Sequence, residues 1–236
     1  MLAEEEPGVV GYAITGKDST SVCVRNTDET ALEISNCTKS FIYIMKPMQT
    51  IIVKHCADTT IFILQSNLLT VDFCENLRIT VYANNIQVSK SHDLNLYLYV
   101  TNQPIITEGS FKVQLAPYNA VVKGVSPEGP NYWNRPLLQA GASSSLLDPS
   151  EFFPFVIPFG EEPNGIVAKL PLSYKKALAW REKVAEERRQ LVLAFCKKVP
   201  DFADSLQKQI SEQFQKYLSE SKSGEQLQQL RSVEYV

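Results

Sequence analysis

The chain is poor in the side chains that most enzymes rely on. It holds two histidines, His55 and His92, and neither stands in a motif with a nucleophile, so a catalytic triad is not expected. It has no Gly-x-x-x-x-Gly-Lys-Ser/Thr, no Gly-x-Gly-x-x-Gly, no His-Glu-x-x-His and no Cys-x-x-Cys. Those absences leave no phosphate-cradling, zinc-hydrolase or dithiol signature. Positive charge is not in excess either: a net charge of −3 gives no reason to expect nucleic acid as a partner. No apolar run approaches the roughly 20 residues of a membrane span. The start, Met1-Leu2-Ala3-Glu4-Glu5-Glu6, is acidic where a secretory signal would be apolar. The cysteines number five, an odd count, which together with that start points to reduced thiols in a cytosolic protein. No cofactor and no metal site is expected.

What the chain does have is a repeat. Lys17, Cys37, Cys56, Cys74 and Ser91 are spaced at 20, 19, 18 and 17 residues. Three positions before these anchors stand Ile14, Ile34, Val53, Val71 and Val88, and five before stand Tyr12, Leu32, Ile51, Leu69 and Ile86. Five after stand Val22, Ile42, Ile61, Ile79 and Leu96, and seven after stand Val24, Ile44, Ile63, Val81 and Leu98. Every one is apolar, and apolar residues alternate with others on each side of the anchor, which is strand periodicity. A period near 18 residues suits one coil of a β-solenoid, whose coils stack because none can bury its own apolar face. The spacing predicts a parallel β-helix of about six coils over residues 9–125, the last running through Pro104-Ile105-Ile106 with Val113 and Leu115 inward. The cysteine anchors are expected to stack as small core thiols.

The outward positions divide into two unlike faces. Phe41, Tyr43, Phe62, Tyr82, Tyr97 and Tyr99, with Met45 and Leu64, form an apolar patch large enough to be a docking surface. On the opposite sheet Glu33, Thr50, Thr70, Asn85 and Gln87 form an ordinary polar face, with Ile52 and Leu68 as islands.

Residues 126–171 hold eight of the thirteen prolines and read as an irregular strap. Its run Phe152-Phe153-Pro154-Phe155-Val156-Ile157-Pro158-Phe159 is too apolar for a free linker and is expected to pack on the aromatic face. Gly141-Ala142-Ser143-Ser144-Ser145 reads as a mobile loop. From Leu172 the period becomes helical, with a break at Pro200 and a second stripe of Phe202, Leu206, Ile210, Phe214, Tyr217 and Leu218; a short third helix is expected near residues 225–230. The expected division is therefore a β-helix at 1–125, the strap at 126–171 and a helical hairpin at 172–236. The last part is net +3 and the first net −3, a balance that favours docking of one on the other.

Tyr82-Ala83-Asn84-Asn85-Ile86-Gln87-Val88, Leu96-Tyr97-Leu98-Tyr99-Val100, Gln103-Pro104-Ile105-Ile106 and Ala116-Pro117-Tyr118-Asn119 resemble the tubulin-binding cofactor C domain, a family shared with cyclase-associated proteins. The resemblance implies a right-handed parallel β-helix. Asn131-Tyr132-Trp133-Asn134-Arg135-Pro136-Leu137, Phe153 to Phe159 and Leu170 to Arg181 are similar to one branch of that family. That branch implies a cytoplasmic protein of the cytoskeleton, placed at centrosomes, basal bodies or equivalent microtubule-organising centres and concerned with organelle position. It usually carries a further N-terminal region, so the chain is expected to be a C-terminal part or a short form. Active members resemble GTPase activators: a Gln-x-Arg on the outer surface offers an arginine finger toward tubulin or an Arf-like GTPase, worth roughly 10³ to 10⁵ in rate. The matching triplet here is Asn85-Ile86-Gln87, which lacks the guanidinium. The resemblance therefore implies a non-catalytic scaffold with cytoskeletal or centrosomal protein partners. A GTPase activator is the rival, and self-association through the helices is a third reading.

Overall fold

The alternation in the sequence becomes a coil because the backbone turns sharply twice at every anchor. A computed structural model describes residues 11–122, 129–159, 169–198 and 200–236, without the side chains of 200–204, 222 and 223. Residues 9, 10 and 123–125 of the expected β-helix, 126–128 and 160–168 of the expected strap and the side chain of Phe202 lie outside the described residues. The residue before each anchor has positive φ: Gly16, Asn36, His55, Phe73, Lys90 and Gly109. So does the second residue after it: Ser19, Lys39, Asp58, Asn76, Asp93 and Lys112. Left-handed backbone is worst for β-branched residues, and none stands in either column. Gly109 also reveals an anchor that the spacing did not include, Ser110, fully buried like Ser91.

Around these corners the strands stack in parallel. One side of the coil is built from β1 (Tyr12–Thr15), β3 (Ala31–Ser35), and the second halves of β4 (Phe41–Lys54), β5 (Thr60–Asp72) and β6 (Arg78–Ser89). The other is built from β2 (Ser21–Val24), the first halves of β4, β5 and β6, and β7 (His92–Val100). The register pairs Leu32 with Ile51, Ile51 with Leu69 and Leu69 with Ile86, and likewise Ile42 with Ile61 and Ile61 with Ile79. Those inward ladders are the expected ones, and nearly every member is fully buried. β8 (Ile105–Ile106) and β9 (Phe111–Pro117) complete a sixth coil, with Val113 and Leu115 inward. The thiols of Cys37, Cys56 and Cys74 are buried in line, each directed at a backbone carbonyl two residues earlier at 3.3, 3.4 and 3.2 Å. The neighbouring Cys56 thiol and burial together push the Cys37 thiol far above its ordinary value, so that thiol is inert packing.

Two departures from the expected fold concern the ends of the stack. Gly141 to Ser145 is not a loose loop: β10 (Leu137–Leu138) pairs with β8 and β11 (Ser144–Leu146) pairs with β9, giving part of a seventh coil. An unpaired β9 would present a row of open hydrogen-bonding groups. At the other end β12 (Glu234–Tyr235) pairs in parallel with β2, and Val236 N donates to Cys23 O at 3.0 Å. The C-terminal tail thus extends the first coil. Three helices lie between: α1 (Leu172–Lys198), α2 (Pro200–Glu220) and α3 (Lys222–Gln229). Pro200 opens α2, where a missing N–H costs nothing. Among the described residues α1 docks by its first turns. Tyr174 is buried edge-on against Phe152 and Trp133, its hydroxyl donates to Leu147 O at 2.6 Å, and Arg181 bonds the carbonyls of Ser150 and Phe152.

Candidate interaction faces

On the polar face, strand parity along β6 sends Ile86 into the core and leaves Asn85 and Gln87 exposed. Register places Gln87 between Thr70 and Ile105, and Asn85 beside Leu68. Asn85 is held by a ladder of amides: it donates to Asn67 O at 3.4 Å and accepts from Asn102 Nδ2 at 2.9 Å. A parallel ladder runs beside it, with Asn84 donating to Asn67 Oδ1 at 2.9 Å and Thr101 to Asn84 Oδ1 at 3.0 Å. Among the described residues the Gln87 side chain makes no hydrogen bond, so its amide is presented freely. A carboxamide can donate and accept but carries no charge to set against a phosphate.

Arg78 starts the same strand and points from the other outer face. It is exposed between Thr60 and Asn95, at the rim of a cavity of about 290 Å³ that Tyr97, Asn119, Glu151 and Phe153 also line. It shares no surface column with Gln87.

The aromatic face is covered. Phe41, Tyr43, Phe62, Tyr97 and Tyr99 are buried and Tyr82 is half-buried. Five of the six side chains expected as a docking surface are therefore closed to another protein, because the chain packs on this face itself. Phe155 stacks on Phe62 with ring centroids 5.6 Å apart, and Phe159 meets Tyr43 edge-on at 4.9 Å. The cover is hydrogen-bonded as well: Phe155 N donates to Asn119 O at 2.8 Å, and Asn119 Nδ2 to Phe153 O at 2.9 Å. Below it Tyr118 is buried too, and burial pushes its hydroxyl far up. Leaving such a patch in water would cost about 25 cal/mol per Å², and an apolar strap removes that cost.

A second cover comes from the tail. Gln226 Nε2 donates to the Tyr43 hydroxyl at 2.6 Å and Gln229 Nε2 to Lys39 O at 3.0 Å. Strap and tail meet where the Arg25 guanidinium lies over Phe159 and Tyr235, at 5.5 and 5.7 Å. Burial pushes the Tyr43 hydroxyl up to about 12. The sequence offered no local sign of this tail contact, since two glutamines and a two-residue strand carry no periodicity. Among the described residues, no cluster of three or more metal-ligating side chains forms and no helix is long and apolar enough to cross a membrane.

The family model described as tubulin binding cofactor C matches residues 29–133. The match opens just before β3 and closes on Trp133, which packs against the last coil. Curated relatives named TBCC domain-containing protein 1 extend the likeness. The mouse protein is 31% identical over 163 residues, 62% of this chain and 29% of its own length. The human protein is 27% identical over 168 residues, 64% of this chain and 30% of its own length. The chicken protein is 26% identical over 220 residues, 84% of this chain and 39% of its own length. The chain spans well under half the length of each. Within the matched segment, Asn85 and Gln87 occupy the outer face that the cover leaves open.

Proposed function

We propose that the protein is a non-catalytic interaction module of the microtubule cytoskeleton. It acts in the cytoplasm at centrosomes, basal bodies or equivalent organising centres, where it links them to organelle position. The observation that carries the reading is Gln87, exposed on the open face and, among the described residues, without a side-chain hydrogen bond. The resemblance implies an arginine finger at this point, and a neutral amide offers no compensation for the charge that builds on a transferred phosphoryl group. The name of the matched family, which mentions tubulin, and the name shared by the relatives support the cytoskeletal part.

Single-turnover GTP hydrolysis by tubulin and by Arf-like GTPases, with and without the protein, tests the absence of catalysis. The expected result is no stimulation by the wild-type chain. Stimulation by Gln87→Arg would mark the open face as a GTPase-binding surface without its finger. The second reading, a GTPase activator for tubulin or an Arf-like protein, draws on Arg78, the exposed arginine of the same strand. Stimulation by the wild type that vanishes in Arg78→Ala would replace the first reading with the second. Proximity labelling in cells tests the location: a labelled set without centrosomal or microtubule proteins would remove it.

A further inference from the structure

The cavity beside Arg78 gathers polar groups that the described chain leaves unsatisfied. Arg78 and Glu151 are exposed and line it, and neither side chain makes an ion pair or a hydrogen bond among the described residues. Tyr97 lines it too although only 5% exposed, and among the described residues its hydroxyl has no hydrogen-bond partner. Burial pushes that hydroxyl above its ordinary value, while Arg78 pulls it down and Glu151 pushes it up, so both charges lie within reach of one phenol. Phe153, Pro154 and Phe155 supply an apolar wall. The result is an apolar hollow that holds a free cation and a free anion.

The wall is fixed before anything binds. Arg181 bonds the carbonyls of Ser150 and Phe152 and lies over the Phe153 ring at 4.1 Å. Asn119 holds the backbone of Phe153 and of Phe155, on either side of Pro154. At about 290 Å³ the hollow falls just short of the roughly 300–1,000 Å³ of small-molecule sites, which suits a single large side chain. It also has a continuation. Arg78 begins an outward row that register extends through Asn95, Gln114 and Ser145, and these three line a second cavity of about 340 Å³. The side-chain amides of Asn95 and Gln114 make no hydrogen bond among the described residues, whereas Lys112 of that cavity is already paired with Asp93 at 3.2 Å. With neighbouring coils about 4.8 Å apart, the row from Arg78 to Gln114 spans about 10 Å, the length of about three extended residues.

We propose that this groove binds a short extended segment of a partner protein in which an aromatic residue adjoins an acidic one. The aromatic side chain fills the hollow against Tyr97, Phe153 and Phe155. The carboxylate takes the Arg78 guanidinium in a charge-assisted hydrogen bond, and the backbone beyond it meets the amides of Asn95 and Gln114. Glu151 favours a basic residue on the other flank of the ring and disfavours a second acid there. The inference stands apart from the cytoskeletal reading, because it uses neither Gln87 nor the open face and its test involves no GTP. It gives Arg78 a task other than that of a finger.

Backbone-amide NMR titration of the intact chain decides it. The probes are two capped pentapeptides, one of lysine, phenylalanine, glutamate and two glycines in that order, the other with the order reversed. At least one should bind with a Kd of about 1 mM and shift the amides of Asn95 and Tyr97. Alanine in place of the phenylalanine should raise that Kd at least about tenfold. Arg78→Gln should raise it about tenfold and Glu151→Gln about threefold, with thermal midpoints unchanged because both side chains are exposed. Gln87→Ala should leave it unchanged. Saturation by neither peptide up to about 10 mM, or an unchanged Kd in Arg78→Gln, overturns the proposal. Free phenylalanine that binds as tightly as the peptide overturns it in favour of a small-molecule site.

Discussion

Thr80 and Gln87 belong to one strand, seven residues apart, and meet opposite fates. Thr80 points to the aromatic face, where it is buried and donates to Asn119 Oδ1 at 3.0 Å beneath the strap. Gln87 points to the amide face and stays in water. The two faces enclose one core, each through its own inward ladders. They differ in what the outward positions carry, and that alone decides which face the chain must roof with its own residues. The roofed face is part of the stability of the fold. The open face is free to be a surface for something else.

The sharpest way to break this comparison is to remove one outward residue from each face. Phe62→Ala, under Phe155, should cost about 3–5 kcal/mol, read from the urea midpoint. Gln87→Ala should stay within about 0.5 kcal/mol. Equal losses would mean that the cover contributes little. The second difference is pH. Tyr43 has its hydroxyl raised from 10.0 to about 12 by burial, so the folded state holds a proton that the unfolded chain has lost. The associated stability, about 3 kcal/mol, is fully present below pH 10 and is lost as the pH rises through 12. Tyr118 is raised by burial as well, so Tyr43→Phe should reduce this alkaline loss without abolishing it. Denaturation at pH 9 and 11 checks this, and an identical loss in both proteins would deny Tyr43 its role. Third, Phe155→Ala removes a half-buried ring from the cover and should cost about 1–2 kcal/mol, with new binding of a hydrophobic dye to the face beneath. No dye binding would show that the strap closes without its central ring. The smallest effect expected is that of Gln87→Arg, within about 0.5 kcal/mol; a larger loss would mean that the open face is not open.

Much of this was legible in the chain. A coil has to supply an inward pair on each side of a corner, so the ladders from Leu32 to Ile86 and from Ile42 to Leu96 stand out as fixed offsets from the anchors. Parity then separates Asn85 and Gln87 from Ile86 without any knowledge of contacts. The rest depended on distance. Leu137–Leu138 and Ser144–Leu146 are too short to alternate, and they become strands only because β8 and β9 leave edges to be filled. Glu234–Tyr235 pairs with residues more than 200 positions earlier, a meeting no local pattern announces. The aromatic residues were visible as a patch, but an apolar surface reads the same whether its occupant is a partner or the chain itself.

Position 87 also has a genetic side. Both codons for glutamine become codons for arginine through a single A-to-G change at the middle base. Because the alternation of β6 turns this side chain away from every inward ladder, that change would reach the surface chemistry without disturbing the packing inside. A guanidinium at this point could be gained or lost in one mutational step, leaving the scaffold to be inherited intact on either side of it.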